Sequence, residues 1–192
     1  LVMIKVGTNT IIKNEEIDKE FLTNLTLKVG ELTKRGKRIC IVSSGAIGLG
    51  KKATNFTPTI VKEQQGLAAV GQIKLMHEYQ KRFENIGLEV GQVLLSQQDL
   101  LNTECLNNIK NAFDFLFEHG IIPIINENDV VATEELRKNG SFSDKSFYFL
   151  LGLSPRQGAW PEKLLSLIFL FSLFSFYIRR AWGSRTGATG FP

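Results

Sequence analysis

Asn126, Glu127, Asn128 and Asp129 stand directly after the apolar run Ile121-Ile122-Pro123-Ile124-Ile125, so amides and carboxylates gather where a hydrophobic segment ends. A β-branched run of this kind fits a strand buried on both faces. In an open α/β sheet, ligands settle in the crevice beyond the carboxyl ends of the strands. Asp129 is therefore a candidate binding carboxylate, although the same residues also read as a turn pinned by its asparagines with Asp129 solvated. Two further segments share the design. Met3-Ile4-Lys5-Val6 runs into Gly7-Thr8-Asn9-Thr10, and Ile39-Cys40-Ile41-Val42 runs into Ser43-Ser44-Gly45-Ala46. Glycine lets backbone N–H groups approach an anion, and a helix N-terminus adds unpaired donors and a positive dipole end. Both loops thus read as oxyanion cradles. Lys5 within an apolar strand is costly to desolvate unless a negative group such as a phosphate meets it. The alternative is that Lys5 snorkels from an edge strand.

Elements that alternate strand and helix must hold these loops. Asn14 fits a helix N-cap before Glu15 and Glu16; Ile17, Phe21, Leu25, Val29 and Leu32 follow at helical spacing, and Gly36 ends the helix before a strand over 38–43. After Pro58, a helix over 61–69 precedes a second whose Ile73, Met76, Tyr79 and Phe83 form a core-facing stripe. A strand over 89–96, a helix over 107–118 stopped by Gly120, and a strand over 121–126 complete the pattern. The order predicts an α/β fold: an open, mainly parallel sheet with helices on both faces.

Composition narrows the function classes. The formal net charge is +4, and residues 151–192 hold five basic side chains and one acid. That leaves 18 basic and 18 acidic residues in the first 150, so no basic face for nucleic acid is expected. Cys40 and Cys105 have no cysteine partner nearby and no His at ligand spacing, and both read as reduced thiols. His77 and His119 read as ordinary surface residues. A soluble cytoplasmic enzyme is the expectation for this part.

Five motifs in order then carry a resemblance: Ile-Lys-Val-Gly-Thr at 4–8, Val-Ser-Ser-Gly-Ala-Ile-Gly-Leu-Gly at 42–50, Leu-Ala-Ala-Val-Gly-Gln at 67–72, Gly-Gln-Val-Leu-Leu at 91–95 and Ile-Pro-Ile-Ile-Asn-Glu-Asn-Asp at 122–129. Over about residues 2–144 the chain resembles the glutamate 5-kinases of the amino acid kinase family. Related kinases act on N-acetylglutamate, aspartate, carbamate or UMP, but the Ser-Ser-Gly-Ala and Asn-Glu-Asn-Asp pairing is closer to the glutamate enzymes. The resemblance implies transfer of the γ-phosphate of ATP, with Mg2+, to the γ-carboxylate of L-glutamate, the first step of proline biosynthesis. It implies that Lys5, the catalytic residue, meets the phosphates, that Gly7 and Gly45 give them backbone donors, and that Ser44, Asn126 and Asp129 hold glutamate. Asp129 would meet the α-ammonium group. No protein ligand for the metal is implied, and self-association into a homo-oligomer is compatible with the family.

The resemblance stops near residue 144. Lys145 stands where the family has an asparagine that touches glutamate, Ser146 where it has an aspartate, and the later Gly-Leu-Tyr and Gly-Thr-Gly-Gly segments have no counterpart. The expected division is therefore an amino acid kinase domain over 1–150, truncated in its nucleotide-binding half, and a divergent apolar tail over 151–192. Leu164–Ile178 is free of charge but shorter than the roughly 20 residues of a spanning helix. Three readings of the tail remain: an out-of-family end from a frameshift, a buried helix, or a membrane anchor. The missing segments favour the first. A non-catalytic amino-acid-binding fragment or pseudoenzyme is the alternative to an active kinase.

Overall fold

A computed structural model describes residues 1–131 except Glu15 and Gln97. Within them a four-stranded parallel sheet has the order β1-β4-β6-β5, with β1 at Val2–Lys5, β4 at Ile39–Val42, β6 at Ile122–Glu127 and β5 at Val90–Leu95. The segment with four isoleucines is thus an inner strand, paired on both sides, and Ile122, Ile124 and Ile125 are buried. A separate two-stranded antiparallel ribbon joins β2 (Ile12–Lys13) to β3 (Glu16–Ile17).

Period-two alternation sorts the strand side chains into two cores. Ile39 and Ile41 of β4 and Ile122 and Ile124 of β6 pack with Leu22, Val29, Leu75, Tyr79 and Phe83. Those partners belong to α2 (Lys19–Lys34) and α4 (Val61–Glu84). Cys40 and Ile125 face the other way, toward Phe113 of α5 (Thr103–Glu118). Helices therefore cover both faces, as expected. The remaining helices are α1 (Thr8–Ile11) and α3 (Ala46–Thr54).

Three boundaries differ from expectation. The N-cap of α2 is Asp18, whose carboxylate accepts from the Phe21 N–H at 2.9 Å. Its bond with Lys13, then that N–H, hold its carboxyl below the usual range. Asn14 instead bends the ribbon at φ +49, a conformation asparagine tolerates better than most residues. Second, 61–84 is one helix rather than two, because Leu67, Ala68, Gly71, Leu75, Tyr79 and Phe83 make one unbroken buried stripe. Ile73 lies off that stripe, 74 % exposed. Third, α5 begins earlier than expected, where the Asn102 side chain accepts from the N–H groups of Glu104 and Cys105. His77 and His119 are exposed, as expected.

Burial of Cys40 pushes its thiol up to about 12, whereas Cys105 is only partly buried. A thiol reagent added to the native chain at mildly alkaline pH is expected to label Cys105 and spare Cys40, because thiolate and access are both required. Denaturant should release the second thiol. Equal labelling rates in the native state would contradict the packing of β4.

Candidate active site

The sheet register brings the three polar loops to one edge. Lys5 pairs with Val42, and Val42 with Ile125, so the last residues of β1 and β4 form one row with Ile125, two residues before the end of β6. The ladder extends one step beyond it, with Val6 N–H donating to Val42 O and Ser43 N–H to Ile125 O, each at 2.7 Å. Gly7 and Ser44-Gly45 consequently leave the sheet beside the last two residues of β6, Asn126 and Glu127, which Asn128 and Asp129 follow.

Ser44 joins the first two loops. Its Oγ donates to Val6 O at 3.0 Å and accepts from Thr8 Oγ1 at 3.2 Å. Beneath it, buried Ser43 and Tyr79 share a 3.0 Å hydroxyl–hydroxyl bond, and burial pushes the Tyr79 hydroxyl up to about 12, so it stays neutral. Gly45 caps α3 at φ +103, a left-handed conformation that strains any residue with a Cβ. No side chain caps the first amides of α3, and the first turn carries no acidic side chain to compensate them. Close backbone contact with α4 holds α3 in place: a Cβ on Gly71 would fall 1.7 Å from Ala46 O.

Lys5 takes the edge-strand alternative, and Gly7 differs from its expected setting. Lys5 is the exposed last residue of β1, which lies at the edge of the sheet among the described residues. The burial cost argued from its apolar neighbours therefore does not arise, because a strand's last residue can turn to water. Gly7 has an extended backbone, φ −76 and ψ 158, and a Cβ there would come no closer than 4.0 Å to Thr10 Oγ1. Neither strain nor local packing demands glycine at that position.

Beside these loops lies a cleft lined by Ala46, Gln72, Leu94, Glu127, Asn128 and Asp129, among others. Asp129 opens a short 3-10 turn and is half-buried on the cleft wall, not fully solvated. Asn126, 6 % exposed, turns its side chain inward: Oδ1 accepts from Glu127 N–H at 3.0 Å, and Nδ2 donates to Gln72 Oε1 at 2.8 Å. Each of those atoms retains capacity for one further bond. The structure thus gathers Asp129, Gln72 and the start of α3 around one cleft, with Asn126 tied in behind Gln72. Lys5, Gly7, Ser44 and Gly45 do not line it. Gln72 and Tyr79 are the residues that sequence reasoning left out of the site. Gln72 lies inside the quoted 67–72 motif, and Tyr79 was read as core only.

Among the described residues no group of three or more His, Cys, Asp or Glu could hold a metal ion, and no helix is long and apolar enough to cross a membrane. Lys145, Ser146 and the 164–178 stretch lie outside the described residues.

The profile of the amino acid kinase family matches residues 1–148. The glutamate 5-kinase of Enterococcus faecalis is 42 % identical over 146 residues, 74 % of this chain and 54 % of the relative. That of Clostridium perfringens is 40 % identical over the same shares. A solved structure, the isopentenyl phosphate kinase of T. acidophilum, is similar with a TM-score of 0.45 at 9 % identity, covering 65 % of this chain and 54 % of its own. The chain spans about half the length of the curated relatives it matches. With the family profile reaching across the sheet and all three loops, the chain belongs to the amino acid kinase family.

Proposed function

We propose that residues 1–144 form the amino-acid half of a kinase that moves the γ-phosphoryl group of ATP onto the γ-carboxylate of L-glutamate, giving γ-glutamyl phosphate for proline biosynthesis. The observation that carries this reading is the Lys5–Val42–Ile125 row, which puts a cation, a helix N-terminus without a side-chain cap and a carboxylate-bearing turn near neighbouring strand ends. In this reading residues 151–192 are a divergent tail, and 1–150 is one domain.

The acceptor carboxylate is already ionised at neutral pH, so general-base work is slight. Catalysis is positioning and charge neutralisation. Lys5 neutralises the transferring phosphate, and the amides at Gly7 and Gly45 donate to its oxygens. The open space over the Gly7 Cα gives a phosphate room to approach. Ser44, Asn126 and Asp129 hold the amino acid, with Asp129 paired to its ammonium group. Magnesium would enter on the phosphates and water.

Lys145 and Ser146, which stand where the family has an asparagine and an aspartate, favour a second reading, in which the 192-residue chain binds an amino acid without turning over. Joining residues 1–144 to the remaining half of the E. faecalis relative separates the two. The chimera is expected to form glutamyl hydroxamate from ATP, glutamate and hydroxylamine at a kinase-like rate of about 1–100 per second. Lys5→Met in it should lower turnover by about a hundredfold while the Michaelis constant for glutamate moves only a few-fold. ATP turnover indifferent to glutamate would refute the substrate. Unchanged turnover with a raised constant for glutamate would remove Lys5 from the phosphate.

A further inference from the structure

Gln72 Nε2 is buried and finds no hydrogen-bond partner among the described residues. Its orientation follows from a chain of bonds. The Glu127 backbone N–H donates to Asn126 Oδ1, which turns Asn126 Nδ2 toward Gln72. Since Nδ2 donates, Gln72 must offer Oε1, and reversing its amide would set two N–H groups against each other. Nε2 is thus the unsatisfied end of a relay of donors that begins at the main chain of β6. Buried donors without acceptors are rare and costly. Gln72 also lines the cleft that holds Glu127, Asp129 and the first residue of α3. One cleft therefore carries carboxylates, which suit an ammonium group, and an amide N–H without an acceptor among the described residues. An α-amino acid, with its ammonium and carboxylate on adjacent atoms, complements that pair.

We infer that Gln72 is a specificity-determining residue, whose Nε2 donates to the α-carboxylate of the amino acid whose ammonium meets Asp129. The assignment rests on the amino-acid site proposed above and adds the group that distinguishes an α-amino acid from a plain amine.

Nuclear magnetic resonance of the 192-residue chain tests it through the Gln72 side-chain amide. Saturating L-glutamate should move that resonance downfield and slow its proton exchange. Saturating 4-aminobutyrate, which keeps the amine and distal carboxylate but lacks the α-carboxylate, should not. Gln72→Glu keeps an acceptor for Asn126 and removes the donor, so glutamate affinity should fall about tenfold to a hundredfold, the value of a hydrogen bond to a charged group. If that variant fails to fold, the resonance of the native chain still decides. Bound glutamate with an unmoved Gln72 resonance, or equal shifts with both ligands, would overturn the inference alone. Absence of glutamate binding would overturn the amino-acid site and the inference with it.

Discussion

Gly71→Ala is expected to destabilise the chain by more than about 3 kcal/mol, beyond the ordinary cost of overpacking a core. The added Cβ would lie 1.7 Å from Ala46 O and 2.6 Å from Gly50 N, both main-chain atoms that cannot rotate aside. Gly50 meets α4 in the same way, its Cβ falling 2.0 Å from Leu67 O. The α3 and α4 backbones therefore touch directly, and relief requires one helix to move. Ala46 is also the first residue of α3 and lines the cleft, so ligand binding should weaken together with stability. Gly66→Ala is the internal control. On the same helix, with nothing within 4 Å of its Cβ, it should gain up to about 1 kcal/mol from helix propensity. Urea unfolding of both variants checks the pair, and a Gly71→Ala midpoint close to wild type would contradict the helix contact.

Much of the framework was legible because its signals are local and repeated. Four isoleucines and a proline between a helix-ending glycine and a polar cluster left little but a buried strand for 121–126, and β6 is the inner strand that carries the site. The parallel order followed from alternating elements. The beginning of α2 was misread because Asn14 and Asp18 are both good caps. The choice fell to Asp18 once Ile12–Lys13 and Glu16–Ile17 paired, a contact between strands too short to show a pattern. Gly66 and Gly71 each weaken a helix in isolation, yet 61–84 runs unbroken. Gly71 costs less here because its bare backbone lets α3 approach.

The site was legible by loop and not by partner. Ser44, Gly45, Asn126 and Asp129 stand at the strand ends where their motifs put them. The side-chain bonds that tie Ser44 and Asn126 to other elements reach residues more than thirty positions away. Ser44 reaches Val6 and Thr8. Asn126 reaches Gln72, fifty-four positions off. An amide on an amphipathic helix reads as solvated until the strand facing it is known, which is why Gln72 escaped notice. For Lys5 the structure favours the second of the two readings, an edge strand. Its apolar neighbours suggested burial, but a residue's place at a strand's end depends on where the ladder stops.

The second large effect belongs to Asp129. It is half-buried on the cleft wall, and Asp129→Asn keeps its shape while removing its charge. If the carboxylate pairs with the ammonium group of an amino acid, the loss should be roughly 2 to 4 kcal/mol of binding, the scale for breaking one side of a desolvated charge pair. Affinity for a non-hydrolysable ATP analogue, to which Asp129 is assigned no contact, should hardly change. An equal loss for both ligands would point to a damaged fold.

Calorimetric titration of L-glutamate into the 192-residue chain and into its Asp129→Asn variant tests the amino-acid site most directly. The account predicts saturable binding to the native chain and a loss of about 30-fold to 1,000-fold in the variant, the same free energy expressed as affinity. No binding to the native chain, or equal affinities for the two proteins, would contradict it.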